Sequence, residues 1–258
     1  MSLPLIIGHR GAAARAPENT LAGLRMAKRL GVSWIEVDVQ ITRDGCPILI
    51  HDARLERTTD GHGLVGDHAL AEIAALDAGS RFAREFRGEK VPRLEEAVAV
   101  LSELALAAIF ELKGPPGRGS ETARATLAVL RRLWPARLPI MLSSSDEAAL
   151  AAVQDEASSI ARALIVKTVP ADWLERIERL GCAALHAGER ALDAATVAKV
   201  AARLPLGAYT VNQPERAAEL IEWGIAAVFT DYPDVILSAV GHGIGGPAEA
   251  GLPGRKIR

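Results

Sequence analysis

Trp34-Ile35-Glu36-Val37-Asp38-Val39-Gln40-Ile41 alternates between two kinds of side chain along its whole length. In an extended strand, successive side chains point to opposite faces. Ile35, Val37, Val39 and Ile41 therefore share an apolar face suited to packing under helices. Glu36, Asp38 and Gln40 share the other, which must point into whatever the strand helps to enclose. Two carboxylates two residues apart on an interior face repel one another and lose hydration. Without compensation at least one is driven neutral.

Outward from this segment the same kind of short apolar run recurs. Strands are expected at 5–10, 34–41, 108–113, 139–143, 161–166, 183–186, 206–212 and 226–230, separated by Ala/Leu/Arg-rich helical stretches. Asn19 or Thr20 caps the first helix, and Gly31 follows its last turn. Ser144 and Glu147 have capping-box spacing. Gly181 and Gly224 stand where C′ glycines belong. Eight β–α units in 258 residues favour a closed parallel barrel, the TIM (β/α)8 architecture, over an open doubly wound sheet. No G-x-G-x-x-G loop follows the first strand, which weakens a dinucleotide-binding reading.

One connection is too long for a simple barrel. About fifty residues separate the second strand from a helix starting near Leu94. They begin with Asp44-Gly45, a hairpin signal, between Val39-Gln-Ile-Thr-Arg43 and Cys46-Pro-Ile-Leu-Ile50. A two-residue turn there pairs Arg43 with Cys46, Ile41 with Ile48 and Val39 with Ile50, and sets His51 opposite Asp38. The segment continues through Thr58-Thr-Asp-Gly-His-Gly63 and Asp77-Ala-Gly-Ser80 to Val91-Pro92. The expected organisation is one barrel domain over 1–240, with an insertion at approximately 44–93 above the barrel mouth. The Gly/Pro-rich segment 241–258 has no apolar periodicity and is expected to be a flexible tail.

Net charge is −2 with the signs well mixed, so bulk charge attracts neither a nucleic-acid backbone nor an anionic membrane. Cys46 and Cys182 lie far apart and outside any C-x-x-C pattern, which argues against zinc and for a reducing compartment. Residues 1–8 lack a basic region and read as a first strand rather than a targeting peptide. No apolar run approaches the length of a membrane span. A cytoplasmic protein with no nucleic-acid partner and no stable membrane association is expected. Oligomeric state is not encoded in any of these features.

On the third strand Ile109, Glu111 and Lys113 share a face, so Glu111 joins Glu36 and Asp38 as a third oxygen donor. Three acidic groups from adjacent strands suit one hard divalent cation, Mg²⁺ or Ca²⁺, with Mn²⁺ also suited; a salt-bridge network among the same carboxylates and nearby cations is the structural alternative. His9 and Arg10 end the first strand, at the face where barrel active sites form. Arg10 presents a planar fork matching phosphate oxygens, and His9 brings an imidazole, a side chain that can move a proton. With His51 these residues form a set that phosphodiester hydrolysis requires: fixed cations for phosphoryl charge, and groups to remove one proton and deliver another.

In order along the chain stand Gly8-His-Arg-Gly11, Ala16-Pro-Glu-Asn-Thr20, Ile35-Glu-Val-Asp-Val-Gln40, Thr42-Arg-Asp-Gly45, His51-Asp52, Leu55-Glu-Arg-Thr58, Glu111-Leu-Lys113, Tyr209-Thr-Val-Asn212 and Thr230-Asp-Tyr-Pro-Asp234. This series resembles the glycerophosphodiester phosphodiesterase family, and its soluble bacterial branch most. The resemblance implies a TIM barrel with an insertion after the second strand. It implies hydrolysis of glycerophosphodiesters, such as glycerophosphocholine, to sn-glycerol 3-phosphate and an alcohol. It also implies a cation on Glu36, Asp38 and Glu111, His9 and His51 as the acid/base pair, and Arg10 and Lys113 on the phosphate. Glu18 belongs to the Pro-Glu-Asn element, bonding the first-strand loop or touching the site, and Tyr209 is expected to wall the glycerol pocket. The nucleophile is water or the glycerol 2-hydroxyl. Two positions depart from the usual family pattern: Tyr209 replaces a Trp, as it also does in the soluble branch, and Ser143-Ser-Ser145 lacks the aromatic of Ser-Ser-Phe. The competing readings are a lysophospholipase D-type or inositol-phosphodiester activity and a non-catalytic glycerophosphodiester-binding protein. His186 is expected at the mouth without a catalytic role, and Trp34 and Trp173 as packing residues.

Overall fold

The alternation of the acidic strand is realised in three dimensions. A computed structural model describes residues 3–115 and 117–241. Strands β1 (Ile6–Gly8), β2 (Trp34–Ile41), β4 (Ala107–Leu112), β5 (Ile140–Ser144), β6 (Ala161–Val166), β7 (Ala184–Gly188), β8 (Leu206–Tyr209) and β9 (Ala227–Thr230) run parallel, and β1 pairs with both β2 and β9, closing the barrel. The short β3 (Pro47–Leu49) hangs antiparallel on β2. Helices α1 (Leu21–Arg29), α3 (Leu94–Leu104), α4 (Gly119–Leu133), α5 (Glu147–Glu156), α6 (Trp173–Leu180), α7 (Ala194–Ala201), α8 (Pro214–Glu222) and α9 (Pro233–Gly241) surround it. The architecture is the TIM barrel with one additional strand.

The two faces of β2 serve two cores. Ile35, Val37 and Val39 join Leu24, Leu101, Phe110 and Leu127 in the layer between barrel and helices. Trp173 packs in the same layer. Trp34 lies inside the barrel with Ile7, Ile109, Met141 and Phe229. Those residues plug the barrel floor, so Glu36 and Asp38, further along β2, rise above an apolar base. A third cluster of Ile48, Ile50, Leu55, Val65, Ile73, Ala78 and Val91 gives the excursion after β2 its own small core, which includes α2 (Leu70–Ala75). Leu49 N–H donates to Pro92 O at 2.9 Å, tying the end of the excursion to its start.

The hairpin register differs from expectation by one residue. Val39 pairs with Leu49, Gln40 with Ile48 and Ile41 with Pro47. The loop holds three residues, Arg43-Asp44-Gly45, with Thr42 N–H donating to Cys46 O at 3.0 Å and Gly45 at φ +79°. Glycine tolerates that left-handed conformation, which absorbs the extra residue. Asp38 consequently faces Ile50, whose N–H donates to Asp38 O at 3.1 Å, and His51 lies one step beyond the ladder.

One helix start follows its motif and another does not. Thr20 caps α1, its Oγ1 accepting from Gly23 N–H at 3.2 Å. Asn19 turns to the acidic strand instead. The Ser144–Glu147 capping box does not form: Asp146 caps α5, accepting from Ala148 N–H at 2.9 Å, while Ser144 Oγ donates to Leu112 O at 2.6 Å. Asp146 stands immediately before Glu147, so it reaches the free N–H groups first.

β1 ends at Gly8 rather than residue 10, and β8 ends at Tyr209 rather than residue 212. At the first of these the backbone folds back so closely that a Cβ on Gly8 would stand 2.2 Å from Gly11 O. Arg10 takes φ +51°, a conformation that costs a non-glycine residue about 1–3 kcal/mol and collects at functional sites. The tail expected at 241–258 lies outside the described residues, apart from Gly241 at the end of α9.

Candidate active site

Parallel pairing puts Asp38 of β2 directly beside Glu111 of β4. One oxygen from each of Glu36, Asp38 and Glu111 lies within 4.8 Å of the others. Two cations reach this cluster. Lys113 Nζ stands 2.5 Å from Glu111 Oε1 and 3.4 Å from Asp38 Oδ1. Arg10 Nε lies 3.3 Å from Asp38 Oδ2, and Arg10 N–H donates to Glu36 Oε2 at 3.1 Å. Asn19 completes the surroundings of Asp38, its side-chain amide donating to Oδ2 at 2.8 Å and its Oδ1 accepting from Asp38 N–H at 3.0 Å.

Charge is not balanced evenly within the cluster. Burial works to raise the Asp38 carboxyl, but Lys113, Arg10 and His51 together hold it below its ordinary value. Burial and the neighbouring Asp38 and Glu111 charges push Glu36 well above the usual carboxylate range. Burial and Asp38 also raise Glu111. Glu36 Oε1 is buried and has no hydrogen-bond partner among the described residues. An orphaned carboxylate oxygen in an acidic trio is the condition that a hard cation with oxygen ligands relieves.

Both histidines carry a carboxylate behind them. His9 Nδ1 lies 2.6 Å from Asp231 Oδ1, and His51 Nδ1 lies 2.6 Å from Asp52 Oδ1. The His9 and Arg57 partners hold Asp231 and Asp52 respectively in the ionised range. Ionised carboxylates only accept, so each Nδ1 carries the proton, leaving Nε2 for the reaction. Gln40 fixes the loop bearing His51, its amide nitrogen reaching His51 O at 2.9 Å and Asp52 O at 2.7 Å. Burial lowers the His51 imidazole, with Arg10 and Lys113 acting in the same direction against Asp38.

A cavity of about 450 Å³ is lined by His9, Arg10, Glu36, His51, Glu111, Lys113 and Tyr209. Seven of the nine residues singled out in the sequence thus meet in one space. Asp38 lies beside them, 1% exposed. Glu18 stands behind Arg10, accepting from its Nη1 at 2.8 Å and from Arg57 at 2.6 and 2.8 Å. Tyr209 donates its hydroxyl to Val166 O at 3.0 Å, which fixes the ring against the cavity wall.

Sequence reasoning assigned no active-site role to Asp52, Asp231, Asn19, Arg57 or Lys167. Asp52 adjoins His51, and Asp231 directly follows the last barrel strand, a position that faces the mouth. Asn19 and Arg57 stand in the motifs at 16–20 and 55–58, and Lys167 has no local signal. Lys167, Ser143, Ser145 and His186 line the far side of the cavity. His186 packs on Phe229 with ring centroids 4.7 Å apart, and its Nε2 has no partner among the described residues.

Burial drives His186 down to about 3, so it is neutral throughout the physiological range. Unfolded histidine takes up a proton near pH 6.5. Stability supplied by the neutral ring is therefore complete above that pH and lost as pH falls toward 3. Between pH 8 and pH 5 this one group is expected to remove about 2 kcal/mol. His186→Phe should reduce the pH-dependent loss by that amount, read as urea midpoints at the two pH values. An unchanged loss would mean that His186 is protonated in the folded protein.

The model of the Glycerophosphoryl diester phosphodiesterase family matches residues 9–235. A Bacillus subtilis glycerophosphodiester phosphodiesterase is 33% identical, over 90% of this chain and 84% of its own length. An Oleispira antarctica phosphodiesterase, solved with the product sn-glycerol-3-phosphate, superposes with a TM-score of 0.91 at 41% identity, covering 93% of this chain and 97% of that one. An Agrobacterium tumefaciens glycerophosphodiester phosphodiesterase superposes with a TM-score of 0.77 at 27% identity, covering 92% and all of the solved chain. The family match runs from the end of the first strand into the last helix and takes in every residue of the acidic cluster and both histidines, so the chain belongs to the glycerophosphoryl diester phosphodiesterase family.

Proposed function

We propose that this chain hydrolyses glycerophosphodiesters to sn-glycerol 3-phosphate and an alcohol, with His9 and His51 moving the protons. The observation that carries the reading is the single cavity in which three carboxylates, two cations and two carboxylate-backed histidines converge. The product bound in the Oleispira antarctica relative supports the choice of substrate.

Glu36, Asp38 and Glu111 would hold one divalent cation, Mg²⁺ or Ca²⁺ on the hard-oxygen donor set. When bound, such a cation supplies Lewis-acid charge at the phosphoryl oxygens. Arg10 and Lys113 bind the phosphate and offset the charge that develops on it. His51, kept neutral by burial and by the two nearby cations, accepts the nucleophile's proton through Nε2. His9 delivers a proton to the departing alkoxide. Asp231 holds the His9 Nδ1 at 2.6 Å, which leaves Nε2, 3.9 Å from Glu36 Oε2, for the transfer. Tyr209 walls the glycerol side of the pocket, and Glu18 keeps Arg10 turned inward.

No helix among the described residues is long and apolar enough to cross a membrane. Cys46 and Cys182 are free thiols, which suits a reducing compartment, and we assign the chain to the cytoplasm with a small-molecule substrate as its partner.

The test is release of sn-glycerol 3-phosphate from glycerophosphocholine, first in chelator and then with Mg²⁺, Ca²⁺ and Mn²⁺ restored singly. Activity lost in chelator and recovered with a cation is the expected result. Well-folded protein with no turnover under any cation would overturn the assignment.

A further inference from the structure

Arg57 lies in the excursion after β2, on a turn closed by Thr59 N–H donating to Leu55 O at 3.0 Å. Leu55 is 1% exposed and packs in the excursion's core, so the turn has a fixed base. The Arg57 side chain engages two carboxylates at once. One edge donates to Asp52, from Nε at 2.6 Å and Nη2 at 3.0 Å. The other donates to Glu18, from Nη1 at 2.6 Å and Nη2 at 2.8 Å. Neither carboxylate is free: Asp52 holds His51 Nδ1 at 2.6 Å, and Glu18 holds Arg10 Nη1 at 2.8 Å.

We propose that Arg57 is a positioning residue that couples the two arms of the active site, setting His51 through Asp52 and Arg10 through Glu18. Exposed ion pairs usually contribute little. This one differs in geometry, because a planar guanidinium grips both carboxylates edge-on and fixes their relative orientation. The excursion thereby takes part in the site's geometry. It sets the angle between the residue that takes the proton and the residue that holds the phosphate. A lysine offers three donors from one point and cannot hold both carboxylates edge-on.

The proposal rests on the catalytic reading above, so the experiment includes one readout that needs no substrate. Glu18→Gln and Asp52→Asn serve as single-arm controls, and turnover of glycerophosphocholine is compared across them. Glu18→Gln is expected to raise KM about 10-fold with little change in kcat, and Asp52→Asn to lower kcat about 10–100-fold with little change in KM. Arg57→Gln should do both. Added to the Glu18→Gln/Asp52→Asn double variant, it should do little more, because its action passes through those two groups. Arg57→Lys should recover part of one effect and not both.

The second readout is the ¹⁵N spectrum of the His51 imidazole in the substrate-free protein. The wild type should show one Nδ1–H tautomer, and Arg57→Gln an average of two. An Arg57→Gln protein whose kcat, KM and His51 spectrum all match the wild type would overturn the proposal. So would a lowered melting temperature with kcat and KM unchanged, which is what a purely structural arginine gives. If the wild type turns over no glycerophosphodiester, the catalytic reading fails, and the His51 spectrum still decides whether Arg57 orients that ring.

Discussion

Glu36→Gln is expected to lower turnover by about 10³-fold and, at the same time, to make the cation-free protein more stable. The two effects share one cause. Glu36 is buried, its Oε1 has no partner among the described residues, and Asp38 and Glu111 stand close by. Its carboxyl is held well above the ordinary range by burial and by those two charges. A raised carboxyl favours the folded state at low pH, and that contribution disappears as pH climbs from about 4.5 through the folded value. The amide has nearly the same shape and carries no charge. It should therefore recover about 1–3 kcal/mol near neutral pH, and the gain should grow as pH rises from 4.5. Added cation should reverse the ranking. The wild type gains about 2.7 kcal/mol when the cation is at a hundred times its dissociation constant, and the variant, short of one ligand, gains far less. Melting temperatures with chelator and with Mg²⁺ or Ca²⁺ read both halves. A variant less stable than the wild type in chelator would show that the carboxylates do not conflict, and that the salt bridges to Lys113 and Arg10 already satisfy them.

His51→Ala and His9→Ala should each lower kcat by about 10²–10⁴-fold, the range for a positioned acid or base. KM should move much less, because Arg10 and Lys113 remain to hold the phosphate. The double variant should lose less than the product of the two single losses, since groups that serve one transition state act as a unit. Each histidine has a carboxylate 2.6 Å from Nδ1, an arrangement that fixes ring and tautomer together and has no evident purpose for a ring that only packs. Alanine at both positions with turnover preserved would sink the assignment and leave the cation and the two basic residues as the whole of the catalytic machinery.

Much of this architecture was legible in the order of residues. Two strands, Trp34–Ile41 and Ala161–Val166, begin and end where their apolar patterns do, and α3 starts at Leu94 as expected. Such elements depend on periodicities of two and of three to four residues, which are local properties of the chain. The acidic cluster was legible for the same reason. Side-chain alternation sends Glu36, Asp38 and Glu111 inward wherever β2 and β4 become neighbours, and parallel register then brings Asp38 beside Glu111. Turn chemistry was less secure. Asp44-Gly45 marks a hairpin correctly, but whether the loop takes two residues or three depends on Gly45 adopting a left-handed conformation, and both loops use the same letters. Ser144 offered a cap, and Asp146, two residues closer to the helix, took the place.

The chain's own order of residues marked the barrel strands, though not every strand end. It sent Glu36, Asp38, Glu111 and Lys113 to the interior and His9 and Arg10 to a strand end, because alternation and strand-end position are read within a few residues of each site. Tyr209 was placed by the family resemblance, and His51 by a hairpin register one residue from the observed one. Tertiary structure alone decided how those residues are held. Asp231 reaches His9 across 222 positions of sequence only because β9 closes against β1. Glu18 meets Arg57 across 39 positions only because the excursion folds back against the loop after β1. Ion pairs and hydrogen bonds between distant segments leave no periodic trace, since each is a single contact made by chain closure, and they set the tautomers, the orphaned Glu36 oxygen and the coupling of the two arms.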